Sequence, residues 1–464
     1  MTERSWSSLL LLAGLLLAGC TDGVNESAYS RFSAGQDHFA DRSLAPRVAS
    51  AAPSTRPAEP ELGDGSQLGD YLTYAALHSA ELRSAFAAWK AALEEVPQVR
   101  AMPDPRFTYR NYIRAVETRV GPQRNAYEIS QTFPWLGKLE LRGDIAAEQA
   151  QAAFHRFEAA RLGLFYRVHK AYGEYYYLGR AIRSTDQNVA LLDQIESIAR
   201  RRYAVGADSH PDVIRAQIEQ VKLAERLRTL QNLRAPTMAR LNSALNRPAK
   251  APLPWPADIP APSSDFSDEQ LLAWAAQANP EVRALAREIA ARKLGIALAR
   301  KEYFPDVTFG VSAIDTGSAR GAMSVSDSGK DPVIAMVSLN IPIWWDKISA
   351  GVRQARWRHL QAVNDKAALL NNLSADVALA LFEFQDAERK VSLYRDTLIP
   401  KAKQSLEASQ TAYTSGKADF QDYLDAQRAL LEFQLSQDRS QADRAQSMAK
   451  LEMLIGKTLP AGNE

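Results

Sequence analysis

The sequence contains few of the residues that bind metals or form cross-links. Its 464 residues include one cysteine, Cys20, which excludes a disulfide or a thiolate metal cluster within one chain. The six histidines stand singly, with no HxxxH or HExxH spacing. Phosphate-binding loops of the GxxxxGKS, GxxxxGKT or GxGxxG type do not occur in it. We therefore expect no cofactor, no bound metal and no enzymatic activity.

The charges nearly balance, and long apolar runs are scarce. The 56 basic and 54 acidic residues give a net charge of +2, which is too small for charge-driven binding of nucleic acid. Beyond the N-terminus, no uninterrupted apolar run reaches the roughly 18 residues of a membrane-spanning helix. We therefore expect neither a nucleic-acid partner nor a helical membrane protein.

The N-terminus has the pattern of an export signal. An apolar block at residues 9–17 is too short to cross a bilayer and is typical of a signal peptide. The string LAGC (17–20) resembles a bacterial lipobox, which implies cleavage after residue 19 and acylation of Cys20. Thr21 in place of an aspartate implies sorting to the outer membrane, where each buried CH₂ of an acyl chain contributes about 0.8 kcal/mol. An ordinary signal peptide with a coincidental cysteine is the alternative.

Shifts in composition divide the chain. The residues after Cys20 are rich in Ser, Ala, Pro, Gly and Asp without periodicity, which favours a flexible tether. Six prolines between 248 and 262 exclude a helix there and indicate an extended connector. We predict a signal peptide at 1–19, a lipid-anchored tether at 20–69, a first repeat at 70–247, a proline-rich connector at 248–268, a second repeat at 269–456 and a C-terminal tail at 457–464.

The halves on either side of the connector resemble each other. The matching segments are 75–85 with 275–285, 103–109 with 304–311, 132–138 with 340–347, and 201–217 with 411–427. Generic similarity of alanine-rich helices would not align prolines and glycines as these segments do. We therefore predict that a helix, a strand pair and a long helical hairpin occur twice.

Long proline-poor stretches predict the helical hairpins. Residues 137–206 contain no proline and would extend about 100 Å as one helix, and residues 346–399 repeat the pattern. Helical patterns of this length are typical of coiled coils and helical arrays. Gly206 and Gly416 predict the turns. The arginines of the first stretch are interpreted as a solvated face: Arg161, Arg167, Arg200, Arg201 and Arg202.

Alternating apolar and polar residues predict four strands, at about 106–116, 125–133, 306–314 and 333–341. Each has the length of a tilted membrane strand. Aromatic residues at the strand ends suit the interfaces of a bilayer, and we select Trp135, Trp344 and Trp345 as interface residues. Two soluble hairpins packed on a core are the alternative.

A membrane sheet of four strands has a physical consequence. Lipid cannot satisfy the hydrogen bonds of an open sheet edge, and closed membrane barrels have at least about eight strands. Three copies of the chain would supply twelve. The predicted fold class is α+β, elongated and internally duplicated, with a trimeric α-helical barrel that continues into a 12-stranded transmembrane β-barrel.

Over essentially the whole chain after the signal peptide, the sequence resembles the TolC family of outer-membrane efflux factors. The strings that carry the resemblance are SQTFPWLGKLELRGDIAAEQA (130–150), LNIPIWWDKISAGVRQA (339–355) and AYTSGKADFQDYLDAQRALLEFQ (412–434). The resemblance implies a homotrimer that is the passive exit duct of a tripartite pump. Its partners would be a periplasmic adaptor protein, an inner-membrane transporter, often of the resistance-nodulation-division class, and the lipid of the outer membrane.

The cargo is the least specified part of the resemblance. The string FPWLGKL is similar to the heavy-metal branch of the family, the CusC and CzcC type, which favours heavy-metal cations over drugs as cargo. Two other functions stay open, namely a structural coiled-coil lipoprotein without a pore and a type I secretion duct.

The resemblance also assigns a gate. Aspartates after the second hairpin turn surround the periplasmic entrance in the family, and Asp422 and Asp425 occupy the matching positions. The first repeat has Asp212 and Arg215 there, which makes the second pair the better gate. Tyr413 would hold the closed tip by hydrogen bonding. Ordinary solvated helix acids are the alternative.

The hairpin turns are the expected contacts of the adaptor protein. They comprise Val205, Gly206 and Ala207 in the first hairpin and Ser415, Gly416 and Lys417 in the second. Capping of a helix end by glycine is the simpler interpretation, and the two roles are compatible.

Overall fold

A computed structural model describes residues 62–206, 209–259, 266–320 and 326–459 of the chain. Several predictions fall outside these ranges: the signal peptide, most of the tether with its acylated Cys20, and the contact role of Ala207. They stay predictions.

In the first half, two short helices lead into a strand hairpin and then into a helical hairpin. The elements are α1 (Leu68–His78), α2 (Ala80–Arg100), β1 (Arg106–Thr118), β2 (Gly121–Phe133), α3 (Lys138–Ala204), α4 (His210–Asn232) and α5 (Arg234–Ala244). α3 is one helix of 67 residues, which its lack of proline permits.

The second half has the same order of elements. They are α6 (Asp268–Ala278), α7 (Pro280–Lys301), β3 (Val307–Thr316), β4 (Val333–Leu339), α8 (Trp345–Leu393), a π-helical turn (Tyr394–Leu398), α9 (Ile399–Thr414) and α10 (Phe420–Ile455). The π-helical turn lies just before Pro400, which has no N–H to complete the helical hydrogen bonds. The long outgoing helix of the second hairpin is therefore interrupted, whereas α3 is not.

Matching helix starts in the two halves are capped in the same way. The hydroxyl of Ser79 accepts a hydrogen bond from the N–H of Leu82 at 3.1 Å at the start of α2. The side-chain oxygen of Asn279 accepts from the N–H groups of Glu281 and Val282 at 2.8 and 3.1 Å at the start of α7. Such caps contribute about 1 kcal/mol each. The halves thus share local chemistry as well as element order.

The four strands form one antiparallel sheet in the order β1-β2-β3-β4. The β2–β3 pairing joins the two halves of the chain. β1 and β2 extend beyond their expected ends into a tight turn, because Gly121 adopts a φ of 137° that favours glycine. Within the described residues, β1 and β4 are edge strands with one open side each.

The long helices lie side by side. α3 packs against α4 and α10, and α10 packs against α8 and α9. α4 and α9 are therefore on opposite sides of the α3–α10 pair. Near the hairpin turns, a shared core holds the layer together and includes Ile195, Val213 and Tyr423. Burial of such side chains stabilises the layer by about 1.5–3 kcal/mol each.

One helical segment, Trp345–Thr414, contains an 18-residue window that is long and apolar enough to cross a membrane, and only 28% of that window is buried. This window is not an uninterrupted apolar run in the sequence, because polar residues are interspersed among its apolar ones. Core helices of soluble proteins have the same property, so this segment alone does not indicate a membrane span.

Candidate functional site

One face of the sheet is apolar and exposed. Residues that are paired across the four strands form rows on this face. One row consists of Phe107, Ile129, Val311 and Ala335, and the next consists of Tyr109, Tyr127, Ala313 and Val333. The side chains of Phe107 and Ile129 are 64% and 55% exposed. An exposed apolar patch that continues across four strands indicates a surface that contacts lipid or another protein.

The opposite face carries mostly small or polar side chains. Its rows are Thr108, Glu128, Ser312 and Ile334, and Arg106, Ser130, Gly310 and Met336. On this face the guanidinium of Arg110 donates to the carboxylate of Glu128 at 2.6 Å. A sheet with one apolar and one polar face is the pattern of a wall between lipid and water.

A buried ion pair joins the sheet to the helices. Lys138 is 1% exposed, and its Nζ lies 2.9 Å from Oδ1 of Asp306 and 3.6 Å from Oε1 of Glu302. The backbone N–H of Trp135 also donates to Asp306, at 2.8 Å, and the indole stacks on Phe304 with 5.1 Å between ring centroids. These contacts fix the β2–α3 junction to the α7–β3 junction.

The three selected tryptophans lie at one end of the sheet, where Phe133, Val307 and Leu339 are adjacent in the register. Trp344 and Trp345 are 72% and 71% exposed. Trp135 is half-buried in its stack. Their role at a membrane interface stays a prediction.

The helical layer has a large cavity on one side. It has a volume of about 1140 Å³ and is lined by residues of α3, α4, α8 and α10. The proline-rich connector lies on the other face of α3, where the hydroxyls of Tyr172 and Tyr175 donate to the carbonyls of Asp258 and Leu253. The cavity therefore opens on the side of the layer away from the connector.

Charged side chains line the floor of this cavity. The guanidinium of Arg439 lies 2.9 Å from Glu174 and 2.8 Å from Asp443, and the amide of Gln446 donates to Glu174 at 3.1 Å. Burial acts to raise the pKa of Glu174, but hydrogen bonds from Arg439 and Gln446 outweigh it and hold the pKa below its usual value. Burial raises the pKa of Asp443 despite the Arg439 contact. A charged wall of this kind suits a water-filled passage.

The two hairpin turns have the same backbone geometry. Gly206 and Gly416 adopt φ of 72° and 73°, and their N–H groups donate to the carbonyls of Tyr203 and Tyr413 at 2.9 and 3.0 Å. This left-handed conformation explains glycine at both turns. Val205, Ser415 and Lys417 are exposed beside them. The exposed turns are available to a partner, and the adaptor contact stays a prediction.

Tyr413 is a core residue of the tip. It is 2% exposed, and its ring centroid lies 5.3 Å from that of Phe420 and 6.0 Å from that of Tyr423. The guanidinium of Arg202 lies 4.8 Å above the Tyr413 ring and donates to the carbonyl of Thr414 at 2.5 Å. Arg202 thereby joins the two hairpins, so its interpretation as part of a solvated face is wrong.

The aspartates of the second hairpin have different surroundings. Asp422 is exposed in the first turn of α10. Asp425, also exposed, accepts hydrogen bonds from Arg428 at 2.8 Å and from Gln421 at 3.0 Å. Arg428, which also pairs with Glu219 at 2.7 Å, partly compensates the charge of Asp425, whereas Asp422 forms no ion pair within the described residues.

Asp212 lies in the first turn of α4 and has a local structural role. Its carboxylate accepts from the hydroxyl of Ser209 at 2.7 Å and lies 3.1 Å from Arg215. An acid at this position also interacts favourably with the helix dipole. Its assignment to the gate stays a prediction.

Sequence reasoning did not identify three interacting groups. They are the Lys138–Asp306 pair, the Arg202 contact with the second hairpin, and the Glu174–Arg439–Asp443 cluster. Lys138 and Lys347 each follow a segment that contains proline and tryptophan. This repetition in the two halves could have identified the first group. Contacts between distant segments, such as the other two groups, have no local sequence signature.

The sequence and the fold both match known proteins. The profile of the outer membrane efflux protein family matches residues 72–247 and 271–457. The cobalt-zinc-cadmium resistance protein CzcC of Cupriavidus metallidurans is 23% identical over 266 residues, which span 56% of this chain and 59% of CzcC.

Two solved structures share the fold. The outer-membrane channel OprN has a TM-score of 0.70 at 19% identity, with 89% of this chain and 98% of OprN covered. CusC has a TM-score of 0.71 at 15% identity, with 89% of this chain and 99% of CusC covered. Because the family profile matches most of the sequence, the chain belongs to the outer membrane efflux protein family, whose members are channels and not enzymes.

Proposed function

We propose that three copies of the chain form the outer-membrane exit duct of a tripartite efflux pump. The open four-stranded sheet with one apolar and one polar face carries this proposal. Its edges β1 and β4 would expose unpaired backbone groups to lipid, which a membrane sheet cannot tolerate. If β4 of each copy pairs with β1 of the next, the three sheets close into a ring of twelve strands.

The same arrangement supplies a continuous passage. The polar face of the sheet would line the pore inside the membrane, and the charged cavity of the helical layer would line it in the periplasm. Cargo would enter at the hairpin tips and leave passively. The energy would come from an inner-membrane transporter, since the sequence of this chain has no phosphate-binding loop.

The tips would be the gate and the docking site. The exposed carboxylates of Asp422 and Asp425, three copies of each, would surround the entrance and attract cations. Val205 and Lys417 are exposed at the turns, where a periplasmic adaptor protein would bind. The transporter behind the adaptor would be of the resistance-nodulation-division type.

We propose heavy-metal cations as the cargo. The name of the relative CzcC refers to cobalt, zinc and cadmium resistance, and carboxylates at the entrance favour cations over anions. Drugs are the alternative cargo. An acyl anchor on Cys20 would hold each copy in the outer membrane in addition to the barrel.

The assembly is tested on protein extracted from outer membranes in mild detergent. The expected results are the mass of a trimer by light scattering, a β-sheet contribution to the circular dichroism spectrum, and stepwise conductance in planar bilayers. A monomer that leaves the membrane on washing with salt would contradict the duct. A trimer that never conducts would favour the structural lipoprotein.

The cargo is tested by deleting the gene and restoring it on a plasmid. We expect lower tolerance to cobalt, zinc or cadmium in the deletion strain, with recovery on complementation and little change toward a panel of drugs. Reduced tolerance to drugs alone would contradict the metal assignment. Loss of a secreted protein without any change in tolerance would favour the type I secretion duct.

A further inference from the structure

Three arginines stand at intervals of four residues along the edge strand β1, namely Arg106, Arg110 and Arg114. Side chains alternate between the two faces of a strand, so a spacing of four keeps them on one face. All three are exposed. At about 3.3 Å per residue they extend over about 26 Å, which is close to the height of the apolar band of a membrane barrel. These three residues form the arginine column.

The strand register places the first two members of the arginine column on the polar face of the sheet. Arg106 is paired with Ser130, and Arg110 is paired with Ala126. Between these two pairs lies the row that contains Glu128, whose side chain is on the polar face. If the sheet is part of a barrel with its apolar face toward lipid, Arg106 and Arg110 line the passage.

Arg114 lies beside an irregularity in the pairing of β1 with β2. Beyond this irregularity, Val116 is paired with Gln123, and Gln123 is paired with Thr316. Thr316 follows Ile314 by two residues, and Ile314 is in the same row of the polar face as Ala126. Val116 is therefore on the polar face, as is Arg114, two residues before it on the strand.

The charges of the arginine column are only partly compensated. Arg110 pairs with Glu128 at 2.6 Å, whereas Arg106 and Arg114 form no ion pair within the described residues. β4 carries no charged residue, so its pairing with β1 of the next copy would bring no carboxylate to the column. Three copies would therefore place six uncompensated guanidinium groups on the wall of the passage.

The other carboxylates of the four strands lie on the opposite face. Asp315 is paired with Asn125, which is two residues before Tyr127 on the apolar face. Glu117 directly follows Val116 on β1, so its side chain also leaves the polar face. Neither acid balances the arginine column.

The two ends of the proposed passage therefore differ in charge. Carboxylates, among them that of Asp422, are exposed at the hairpin tips, whereas arginines are exposed on the polar face of the sheet. A charged wall attracts ions of opposite sign and repels ions of like sign. A voltage that drives cations in at the tips and anions in at the sheet therefore fills the passage with ions, and the reverse voltage depletes it.

We propose that the arginine column is a second selectivity element of the duct, which together with the tip carboxylates lets cations pass outward more readily than inward. The inference rests on the proposed duct and adds a direction to its conductance. Cations that arrive from the tips meet anions drawn in at the sheet, which neutralise them. Cations that approach from outside meet the guanidinium groups first and are repelled.

Currents through single ducts in planar bilayers test this direction. Protein added to one compartment keeps its helices on that side, because the charged helical layer cannot cross lipid. In about 10 mM potassium chloride, where charges act over about 30 Å, we expect a larger current when the helical side is positive than when it is negative. In about 1 M salt this asymmetry should disappear, because screening shortens the distance to about 3 Å.

Variants of the arginine column separate charge from shape. Arg106→Gln with Arg114→Gln removes the two uncompensated charges, and we expect loss of most of the asymmetry, measured as the ratio of the two currents. Arg106→Lys with Arg114→Lys keeps the charges and should retain the asymmetry. Glu128→Gln frees the charge of Arg110 and should increase the asymmetry.

A matched control removes an arginine outside the passage. Arg240 is exposed on α5, and the adjacent Leu241 packs in one core with Leu253 of the proline-rich connector, on the side of the layer away from the cavity. Arg240→Gln changes the net charge by the same amount as one replacement in the arginine column. Its ratio of currents should equal that of the wild type.

The outcomes distinguish this inference from the proposed duct. Equal currents at both polarities in a conducting wild type at low salt would overturn the role of the arginine column and leave the duct in place. An asymmetry that survives in the double glutamine variant, or that is lost equally in the double lysine variant, would overturn it as well. Absence of conductance in the wild type and in every variant would instead contradict the duct itself.

Discussion

Arg202 of the first hairpin lies with its guanidinium 4.8 Å above the ring of Tyr413 of the second and donates a hydrogen bond to the carbonyl of Thr414. A cation over an aromatic ring contributes about 0.5–2 kcal/mol, and a hydrogen bond from a charged donor contributes a similar amount. One side chain therefore fixes the relative position of the two turns.

Replacement of Arg202 should loosen the tips. If the chain forms the proposed duct, we expect Arg202→Ala to raise the basal conductance of the reconstituted protein several-fold, with Arg202→Lys between it and the wild type. Arg201→Ala is the matched control, because among the described residues the Arg201 side chain donates a hydrogen bond to its own helix, at the carbonyl of Ser197. Equal conductance of Arg202→Ala and Arg201→Ala would show that the contact does not restrain the tips.

The two aspartates of the second hairpin should differ in their effect on ion selectivity. Asp425 is paired with Arg428, so its charge is partly compensated, whereas the equally exposed Asp422 forms no ion pair within the described residues. We expect Asp422→Asn to reduce the preference for cations, measured as a reversal potential in a salt gradient, more than Asp425→Asn does. The exposed Asp376 on α8 provides the control variant Asp376→Asn, which should retain the preference. The reverse order of the two effects would exclude Asp422 as the main gate residue.

Breaking the buried pair between Lys138 and Asp306 should destabilise the junction of sheet and helices. Lys138→Met leaves the partly buried carboxylate of Asp306, 28% exposed, without its cation, which costs about 1–3 kcal/mol. We expect a lower melting temperature in detergent, with partial recovery in the double variant Lys138→Met with Asp306→Asn. Lys347→Met, at the matching position of the second repeat, is the control. An unchanged melting temperature in Lys138→Met would refute a structural role for the pair.

Glu174 should stabilise the helical layer in a pH-dependent way. Its pKa is lower in the folded chain than in the unfolded chain, so its contribution is present above the usual carboxyl pKa and is lost as pH falls through the lowered value. We expect Glu174→Gln to cost about 1 kcal/mol at pH 7. The difference in melting temperature between Glu174→Gln and the wild type should become smaller as the pH falls from about 5 to about 3, because a carboxyl group takes up its proton in roughly this range.

The opposite trend would contradict the direction of the Glu174 shift. Glu148→Gln is a suitable control, because within the described part of the chain the ion pair of Glu148 is a long one, 3.5 Å from Arg287. Its melting temperature should differ little from that of the wild type at either pH. If the difference in melting temperature between the wild type and Glu174→Gln became larger on acidification, and that of Glu148→Gln did not, the charged form of Glu174 would be less stabilising than its neutral form.

Local patterns were enough to predict much of the architecture. The proline-free stretch at 137–206 corresponds to α3, and the alternation at 306–314 corresponds to β3, because side-chain periodicity and proline act within a few residues. The glycines of the two turns were also identifiable, since the left-handed conformation itself selects glycine.

Contacts between distant segments could not be predicted in the same way. Arg202 lies in a run of arginines, and nothing nearby in the sequence indicates that its partner is more than two hundred residues away. The burial of Tyr413 likewise depends on Phe420 and Tyr423 across the turn and on the first hairpin. Such positions are set by packing of whole elements, and no short pattern encodes that packing.

The two open strand edges have a genetic consequence. If each duct needs an intact β1 and an intact β4 from every copy, a single defective copy leaves the wall incomplete. In a cell that makes equal amounts of normal and edge-defective chains, about one assembly in eight would contain only normal copies if three mix at random. Edge variants should therefore be dominant over the normal gene, whereas a simple deletion should be recessive.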